Sequence, residues 1–284
     1  MSRSRADAVL VWILRGAAVL TGALTLLVAG FLVFESLPVL GTAGVGRLFT
    51  DPAWRPTEGL YSLVPMVWGT LFATAGALLV ATPLGLLSAV FCRYYAPPRV
   101  AGLYRRLIEL LAGIPSVVYG LWGLMVLVPL IGRLQPPGPS LLAGIAVLSI
   151  MILPTIALSA DAAFANVPSE YWRGAAALGL SRGSTLRHVV FPAAASGLFT
   201  GVMLGTGRAI GETLAILMVC GNVVQTPRSL FDPVRTLTAN IALEMAYAMG
   251  GHRSALFASG LLLLLMVAAL VAAAEWTGRG GIHG

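Results

Sequence analysis

The sequence predicts an all-α membrane protein with six transmembrane helices, and two observations indicate this class. Of the 284 residues, 58% are hydrophobic and 10% are charged, whereas a typical soluble domain contains roughly 25% charged residues. The mean hydropathy is +0.89, which means more apolar surface than the core of one soluble domain can bury. The bilayer is therefore the expected solvent, and the length fits one membrane domain without a second large soluble one.

Six apolar stretches are the predicted spans. Each has about 18–28 residues, enough to cross a ~30 Å hydrocarbon core as a helix. The first is too long for the apolar part of a cleavable signal peptide. The stretches are Leu10–Phe34, Val64–Phe91, Ile114–Ile131, Leu141–Ala160, Ala193–Cys220 and Ala255–Ala274.

The distribution of arginine predicts the orientation of the chain, because all 18 basic residues are Arg. If both termini are cytoplasmic, ten arginines lie in inner segments and six in outer segments, as the positive-inside rule favours. Arg15 lies near the inner end of the first span, from which its side chain can reach the interface. The inner ones are Arg3, Arg5, Arg93, Arg99, Arg105, Arg106, Arg173, Arg182, Arg187 and Arg279, and the outer ones are Arg47, Arg55, Arg133, Arg228, Arg235 and Arg253.

The composition excludes several functions. Without lysine the chain cannot be a P-loop ATPase and cannot form a Schiff base. Cys92 and Cys220 are predicted at opposite membrane faces, and the three histidines are scattered, so we expect no disulfide, metal site or cofactor. The net charge of +7 is explained by membrane topology, so no nucleic-acid partner is expected.

Two outer segments are long enough to have structure of their own. Glu35–Leu63 contains Pro52, Trp54 and Pro56 and is expected to be irregular. In Arg235–Met249 apolar residues recur every four positions, which predicts an amphipathic helix. Two interpretations of this helix remain open: it rests on the membrane or on the ends of other helices, which we favour, or it docks a partner.

The inner segment Asp161–Pro192 predicts two short helices joined by a corner. Pro168 stands where a helix can begin, and the alanine run that follows favours a helix. Gly179 can adopt the left-handed conformation that ends this helix, and Ser181 is a suitable N-cap for the next one. Small residues at 174–177 would allow another surface to approach the backbone. On these grounds a docking element and a packed loop are equally supported.

The same segment resembles the EAA loop of ABC importer permeases. Gly179, Val189, Phe191 and Pro192 match the end of that motif at its spacing. The motif's first three positions, Glu-Ala-Ala, fall on Arg173-Gly174-Ala175, so the acidic residue is not kept. The resemblance implies that the segment contacts an ATPase, and the loss of the acidic residue is tolerable if that contact depends mainly on shape. The residues implied in that contact are Arg173, Gly174, Ala175, Ala176, Gly179 and Pro192.

Further motifs, taken in order, resemble the phosphate-specific ABC importer permeases of the PstC type, and the resemblance extends from roughly Gly69 to Ala274. The related PstA type shares the Arg-Ala-x-Gly-Glu-Thr run, but residues 218–222 and 231–233 favour PstC. The matching stretches are Gly113–Gly120, Gly207–Thr213, Met218–Asn222, Ser229–Pro233, Thr236–Thr238 and Ser254–Phe257.

The resemblance implies the type I ABC importer permease fold with cytoplasmic coupling helices. The implied division is an N-terminal helix and outer loop at 1–68, the transmembrane domain at 69–275 and a cytoplasmic tail at 276–284. The implied role is a non-enzymatic subunit that forms half of a phosphate pathway in the bacterial inner membrane. The implied partners are a second permease of the PstA type, two ABC ATPase subunits that hydrolyse ATP, and an extracytoplasmic phosphate-binding protein.

Arg208 and Glu212 form a candidate site that can be argued without the resemblance. Arg208 lies roughly 22 Å along the fifth span, at a depth where a charge costs about 2.5–3.5 kcal/mol and must face a bundle interior or a wet cavity. Glu212 follows one helical turn later and could neutralise it. The pair is either structural or an anion site with its own counter-ion, and the resemblance implies the second and includes Thr213. Close packing nearby would be supported by Gly201, Gly205, Gly207 and Gly211.

Three other functions remain open at this level. A permease for another oxyanion, such as molybdate or sulfate, would have the same architecture. A proton-coupled secondary transporter could use Glu212 as its proton carrier, although the inverted repeats common in such carriers are not visible. A membrane scaffold without transport is disfavoured, because nothing structural requires a charge as deep as that of Arg208.

Overall fold

The computed structural model describes residues 5–280, and the side chains of residues 9–276. Six helices are long and apolar enough to cross a membrane, so the number of predicted spans is confirmed. Arg3 and the last four residues of the predicted tail at 276–284 lie outside the described residues, and the side chains of Arg5 and Arg279 are not described. The six helices are Val9–Thr42, Val64–Tyr95, Ser116–Leu134, Leu141–Ala165, Arg182–Gly211 and Gly250–Trp276.

The described chain contains thirteen α-helices and one short β-hairpin. Three single π-helical turns, Phe91–Tyr95, Gly123–Leu127 and Leu186–Val190, continue the second, third and fifth spans. The helices are α1 Arg5–Thr42, α2 Gly44–Thr50, α3 Val64–Val90, α4 Pro98–Gly113, α5 Ser116–Trp122, α6 Val128–Leu134, α7 Leu141–Ala165, α8 Ser169–Ala177, α9 Arg182–Thr185, α10 Phe191–Gly211, α11 Leu214–Val219, α12 Leu237–Glu244 and α13 Gly250–Gly280.

The described residues form two compact units. One consists of the residues up to Ser62 together with Glu244–Leu265, and the other consists of Leu63–Leu243 together with the residues from Met266 onward.

The first unit contains the β-hairpin, which corrects the expectation that Glu35–Leu63 is irregular. Helix α1 runs on to Thr42, and strand β1 (Trp54–Arg55) pairs antiparallel with β2 (Leu60–Tyr61). The Trp54 indole N–H donates to the Glu244 carboxylate at 2.9 Å. That partner is 190 residues away in the sequence, so the proline-rich local sequence does not reveal it.

The turn before the hairpin is held by Asp51. Its carboxylate accepts the Tyr61 backbone N–H at 2.8 Å and pairs with Arg47 at 3.0 Å. The Tyr61 hydrogen bond, together with Arg47, holds the pKa of Asp51 below its ordinary value. The hairpin is therefore fixed to the chain that leads into it by a charge-assisted contact.

The second unit is built around α7, which packs against both α3 and α10. Small residues bring the helices close together, as expected where lipid supplies no hydrophobic driving force between helices. On α3 these are Ala73, Ala77 and Ala81, all buried against residues of α7. On α10 three glycines one turn apart face α7, and an added Cβ would lie 2.6 Å from the Ala163 Cβ at Gly197, 2.7 Å from the Ser159 Cβ at Gly201 and 2.9 Å from Ile156 Cγ1 at Gly205.

The predicted fifth span, Ala193–Cys220, is wrong at its outer end. Helix α10 stops at Gly211, Glu212 is extended with φ −69° and ψ 128°, and the chain resumes helical conformation only at Leu214. The apolar composition continues across the break, so hydropathy alone does not show it.

The segment that contains the predicted helix Arg235–Met249 is packed more tightly than its pattern indicates. Helix α12 ends at Glu244, short of the predicted Met249, and Leu237 and Asn240 are fully buried. The favoured interpretation was a helix that rests on the membrane or on the ends of other helices, and this burial agrees with the second of these positions. The loop before it caps α7, because the first two N–H groups of that helix donate to the carbonyls of Asp232 and Leu230 at 2.9 and 2.7 Å.

The glycine contacts of α10 give a matched pair of substitutions. We expect Gly201→Ala to destabilise the protein by roughly 1–3 kcal/mol, because the new methyl group overlaps α7. Gly207 has no heavy atom within 4 Å of an added Cβ, so Gly207→Ala should stabilise the helix by up to about 1 kcal/mol. Thermal unfolding in detergent measures both changes. Equal shifts in the unfolding temperature would contradict the assigned packing face of α10. They would place Gly207 in close contact with a neighbouring helix, as the sequence predicted.

Candidate functional site

The break between α10 and α11 is the centre of the first candidate site. The Glu212 carboxylate accepts the Ala215 N–H at 3.1 Å and so caps the start of α11. The Thr213 hydroxyl donates to the Gly211 carbonyl at 3.2 Å, and the Thr238 hydroxyl donates to the Glu212 carbonyl at 2.8 Å. Side chains thus replace part of the helical hydrogen bonds that the break removes.

Arg208 and Glu212 do not form the predicted pair. Because Glu212 leaves the helix, it no longer lies one turn above Arg208 on the same helical face. Arg208 is half-buried in the last turn of α10. Within the described part of the chain, its guanidinium has neither a hydrogen bond nor an ion pair. Each charge instead lies at the helix end whose partial charge is opposite to its own.

Arg208 lines an open groove of 840 Å³ between α10 and the C-terminal part of α13. The groove is mostly apolar, and its charged residues are Arg208 and Glu275. Ser196 and Thr200 add hydroxyl groups from exposed positions on α10. The complete lining is Ser196, Phe199, Thr200, Met203, Leu204, Gly207, Arg208, Val267, Leu270, Val271, Ala274 and Glu275.

The motifs that are distant in the sequence meet around this break. Gly120 of α5 lies against α11, where an added Cβ would be 2.8 Å from the Ala215 Cα. From the loop after α11, the Arg235 side chain donates to the Asn222 carbonyl at 2.9 Å, where Asn222 has a positive φ of 56°. Residues 113–120, 207–213 and 229–238 therefore build one local structure, with Arg208 at its edge.

The second candidate site is the exposed corner between α8 and α9. Gly179 has φ +75°, its N–H bonds to the Ala176 carbonyl at 3.0 Å, and the Leu180 N–H bonds to the Ala175 carbonyl at 3.1 Å. This pair of bonds is the Schellman arrangement that ends a helix. The Ser181 hydroxyl then accepts the Ser184 N–H at 3.3 Å. The predicted helix, glycine corner and second helix are confirmed.

The structure separates the residues proposed for this surface into three groups. Arg173, Gly174, Ala176 and Gly179 are exposed at the corner, and no heavy atom lies within 4 Å of a Cβ added at Gly174 or Gly179. Ala175 is 4% exposed and faces the protein itself. Pro192 is exposed in the first turn of α10, away from the corner in the sequence.

An aromatic cluster, which the sequence analysis did not identify, anchors α8 to the ends of the spans. The Trp172 ring stacks on Tyr94 with centroids 5.1 Å apart and planes at 10°. Tyr94 contacts Phe164 edge to face at 5.9 Å, and Phe164 contacts Phe191 at 5.3 Å. The sequence does contain one signal for this cluster, because all four aromatic residues lie near the predicted inner end of a span or in the segment Asp161–Pro192.

Asp161, near the end of α7, joins two further elements at the same ends of the spans. Its carboxylate lies 3.0 Å from an Arg105 nitrogen on α4 and 3.6 Å from an Arg93 nitrogen in the π turn that ends the second span. Three chain segments meet at this carboxylate, just before the chain enters α8.

The fold and these two sites define a multi-pass membrane protein. Its second unit contains a half-buried cation, Arg208, beside a groove, and an exposed corner at the ends of its spans. A family model described as "Binding-protein-dependent transport system inner membrane component" matches residues 81–279. The chain belongs to this family of transport permease subunits.

Individual relatives agree with the motifs of the PstC type. The phosphate transport system permease protein PstC of Mesorhizobium japonicum is 35% identical over 295 residues, which cover 96% of this chain and 87% of that protein. The PstC of Haemophilus influenzae is 36% identical over 78% of this chain and 77% of its own length. The probable ABC transporter permease YqgH of Bacillus subtilis is 43% identical over 82% of this chain and 77% of that protein. The resemblance noted from the motifs is confirmed.

Two solved transporters show the same fold. A chain of a bacterial alginate ABC transporter superposes with a TM-score of 0.65 at 12% identity and covers 98% of each chain. A chain of the inward-facing MetNI methionine ABC transporter gives 0.62 at 21% identity, over 81% of this chain and 99% of that one. The fold is that of type I ABC importer permeases, as predicted.

The capping role of Glu212 changes the expected result of exchanging the two charges. Glu212→Gln keeps an oxygen that can accept the Ala215 N–H, so stability should change by less than about 0.5 kcal/mol. Glu212→Arg removes the acceptor and should cost about 1–2 kcal/mol. Adding Arg208→Glu should not recover this loss, which thermal unfolding of the assembled complex measures. Full recovery in the exchanged variant would show that the two side chains pair after all.

Proposed function

We propose that this chain is a permease subunit of an ATP-driven inorganic phosphate importer and that it forms half of the translocation pathway. The observation that supports this most directly is the half-buried guanidinium of Arg208, which forms no ion pair among the described residues, beside a groove in a membrane-spanning unit. A planar guanidinium matches the oxygens of phosphate in bidentate geometry. The PstC names of the relatives support phosphate as the anion.

The helix break explains how such a cation can stand at this depth. The unpaired carbonyls in the last turn of α10 give a partial negative charge that favours Arg208. Glu212 accepts the N–H group of Ala215 and forms no ion pair with Arg208 in the described structure, which leaves the guanidinium available to a passing anion. Arg208, Glu212 and Thr213 are the proposed pathway residues, with Arg208 as the direct contact and the other two as residues that hold the break.

The family assignment favours an ABC importer over a proton-coupled carrier or a scaffold. In the proposed complex a second permease of the PstA type supplies the other half of the pathway, and an extracytoplasmic protein delivers phosphate. Two ABC ATPase subunits dock on the α8–α9 corner and hydrolyse ATP, so this chain is not itself an enzyme. Both termini are proposed to be cytoplasmic. The proposed domain boundaries remain 1–68 for the N-terminal helix and outer loop, 69–275 for the transmembrane domain and 276–284 for the tail.

The ATPase contact is proposed to depend on the shape of the corner. Gly174 and Ala176 present little side chain, so a partner can approach the α8 backbone closely. Leu178, 83% exposed, adds an apolar contact at the tip. Arg173 stands where the family motif has Glu, and its side chain bonds to Ser169 within α8 at 2.8 Å. Ala175, which is buried, is assigned to holding this segment on the protein, and the exposed Pro192 stays a proposed contact residue.

The pathway proposal predicts a specific loss for Arg208 variants. Arg208→Gln should lower phosphate uptake into proteoliposomes at least 100-fold while the complex still assembles, since the anion loses its counter-charge in a low-dielectric path. Arg208→Lys keeps the charge but loses the bidentate geometry, so uptake should fall less. Uptake is measured with radioactive phosphate against excess molybdate or sulfate. Undiminished uptake by Arg208→Gln would exclude the pathway role, and stronger competition by either anion than by phosphate would assign another oxyanion.

The coupling proposal predicts opposite outcomes for two changes at the corner. Ala176→Trp places a bulky ring where the partner approaches and should lower phosphate-stimulated ATP hydrolysis at least 10-fold, with membrane insertion unchanged. Gly179→Asn is the matched control, because Asn tolerates the left-handed conformation and should keep most of the stimulation. Hydrolysis is measured with the binding protein and phosphate present. Full stimulation in Ala176→Trp would remove this corner from the ATPase contact.

A further inference from the structure

Helix α4 presents an apolar face that stays exposed among the described residues. Ile108 is buried, and Tyr104 bonds to Ser88 at 3.0 Å, so one side of the helix is fixed to the protein. On another side, apolar residues follow at i, i+3, i+7 and i+10. We name this set the α4 stripe; it consists of Val100, Leu103, Leu107 and Leu110, which are 46%, 62%, 49% and 69% exposed.

Charged residues occupy a separate arc of the same helix. At 3.6 residues per turn, Arg99 and Arg106 fall directly beside the α4 stripe, and both are exposed. Glu109 is also exposed, but it lies farther from the stripe on the polar arc. Arg105 lies at the end of this arc that faces the protein, where its guanidinium nitrogen is 3.0 Å from the Asp161 carboxylate. The helix therefore has a fixed rotation, with arginines bordering the exposed apolar residues.

The position of α4 in the chain places it at the membrane surface. It begins three residues after Tyr95, where the second span ends, and it ends three residues before Ser116, where the third span begins. A 16-residue helix is about 24 Å long, and both of its ends are tied to the same membrane face by these short links. An exposed apolar stripe at that level is within reach of acyl chains.

We propose that α4 is an interfacial helix that binds anionic phospholipid, with the α4 stripe among the upper acyl chains and Arg99 and Arg106 on the headgroup phosphates. Apolar residues on one face with arginines at the border are the features of helices that lie in the bilayer interface, and the long arginine side chains reach the headgroups from there. Bacterial cytoplasmic-leaflet lipids of the anionic class, such as phosphatidylglycerol, have the complementary charge.

This proposal rests on the membrane location of the second unit and not on phosphate as the transported anion. It gives the Asp161 contacts a further consequence. Arg105 links α4 to α7 shortly before the chain enters α8, so lipid bound to α4 supports the base of the proposed coupling corner.

Site-directed fluorescence in the reconstituted full complex tests the location of the stripe. Bimane is attached to Leu103→Cys, Leu110→Cys or, as a control on the polar arc, Gly102→Cys, with Cys92 and Cys220 replaced by Ala. The stripe labels should be quenched by lipid brominated in the acyl chain and protected from acrylamide in water, and the Gly102→Cys label should show the reverse. Stripe labels quenched by acrylamide, or by neither quencher because a subunit covers them, would overturn the proposal.

The headgroup contact is tested on the Leu103→Cys label. Its quenching by brominated phosphatidylglycerol, relative to brominated phosphatidylcholine, should fall about five-fold on Arg106→Gln, the factor expected for one arginine near an anionic surface. Arg228→Gln removes an exposed arginine of a loop and should leave the ratio unchanged. An equal effect of both changes, or no effect of Arg106→Gln, would refute headgroup binding. Neither readout requires transport, so its failure is distinct from a failure of phosphate uptake.

Discussion

The structure depends on one constraint: a helix that breaks inside a membrane must satisfy its own backbone groups, because lipid offers no hydrogen-bond partners. At the end of α10 the partners are the Glu212 carboxylate and the hydroxyls of Thr213 and Thr238. Once these side chains are in place, the chain can present two helix ends of opposite partial charge close together. Arg208 lies beside the first of them, where the helix end favours its charge, and it forms no ion pair among the described residues.

The same constraint explains why the loop after α11 has its particular form. The loop must bring Thr238, at the start of α12, back to the break. It must also satisfy the first N–H groups of α7 through the carbonyls of Leu230 and Asp232. The Asp232 carboxylate accepts the N–H groups of Arg228 and Ser229 at 2.8 and 2.9 Å, which fixes the loop for both tasks. Motifs that are scattered along the sequence are therefore parts of one capping structure.

Sequence patterns predicted the features that depend on local chemistry. Six apolar stretches, the left-handed Gly179 and the N-cap Ser181 each follow from residues within a few positions of one another. The end of α10 could not be predicted in this way, since Thr238 is 26 residues beyond Glu212. Arg208 and Glu212 were predicted on one helical face only because α10 was assumed to continue beyond Gly211. The prediction of an irregular segment at Glu35–Leu63 was wrong for a similar reason, because Glu244, the buried partner of Trp54 in the hairpin, comes from a distant part of the chain.

In the proposed mechanism, movement at the ATPase contact has a short physical path to the anion site. Residues 182–211 form one continuous helical run of 30 residues, about 45 Å long, that starts at the α8–α9 corner and ends one turn beyond Arg208. Its glycine face is packed directly against α7, and the Trp172 and Tyr94 rings fix α8 to the ends of the neighbouring spans. Close-packed interiors have low compressibility and transmit a displacement from one element to the next. A displacement at the corner would then move Arg208 together with its helix end, which changes the position of the cation while its backbone capping stays intact.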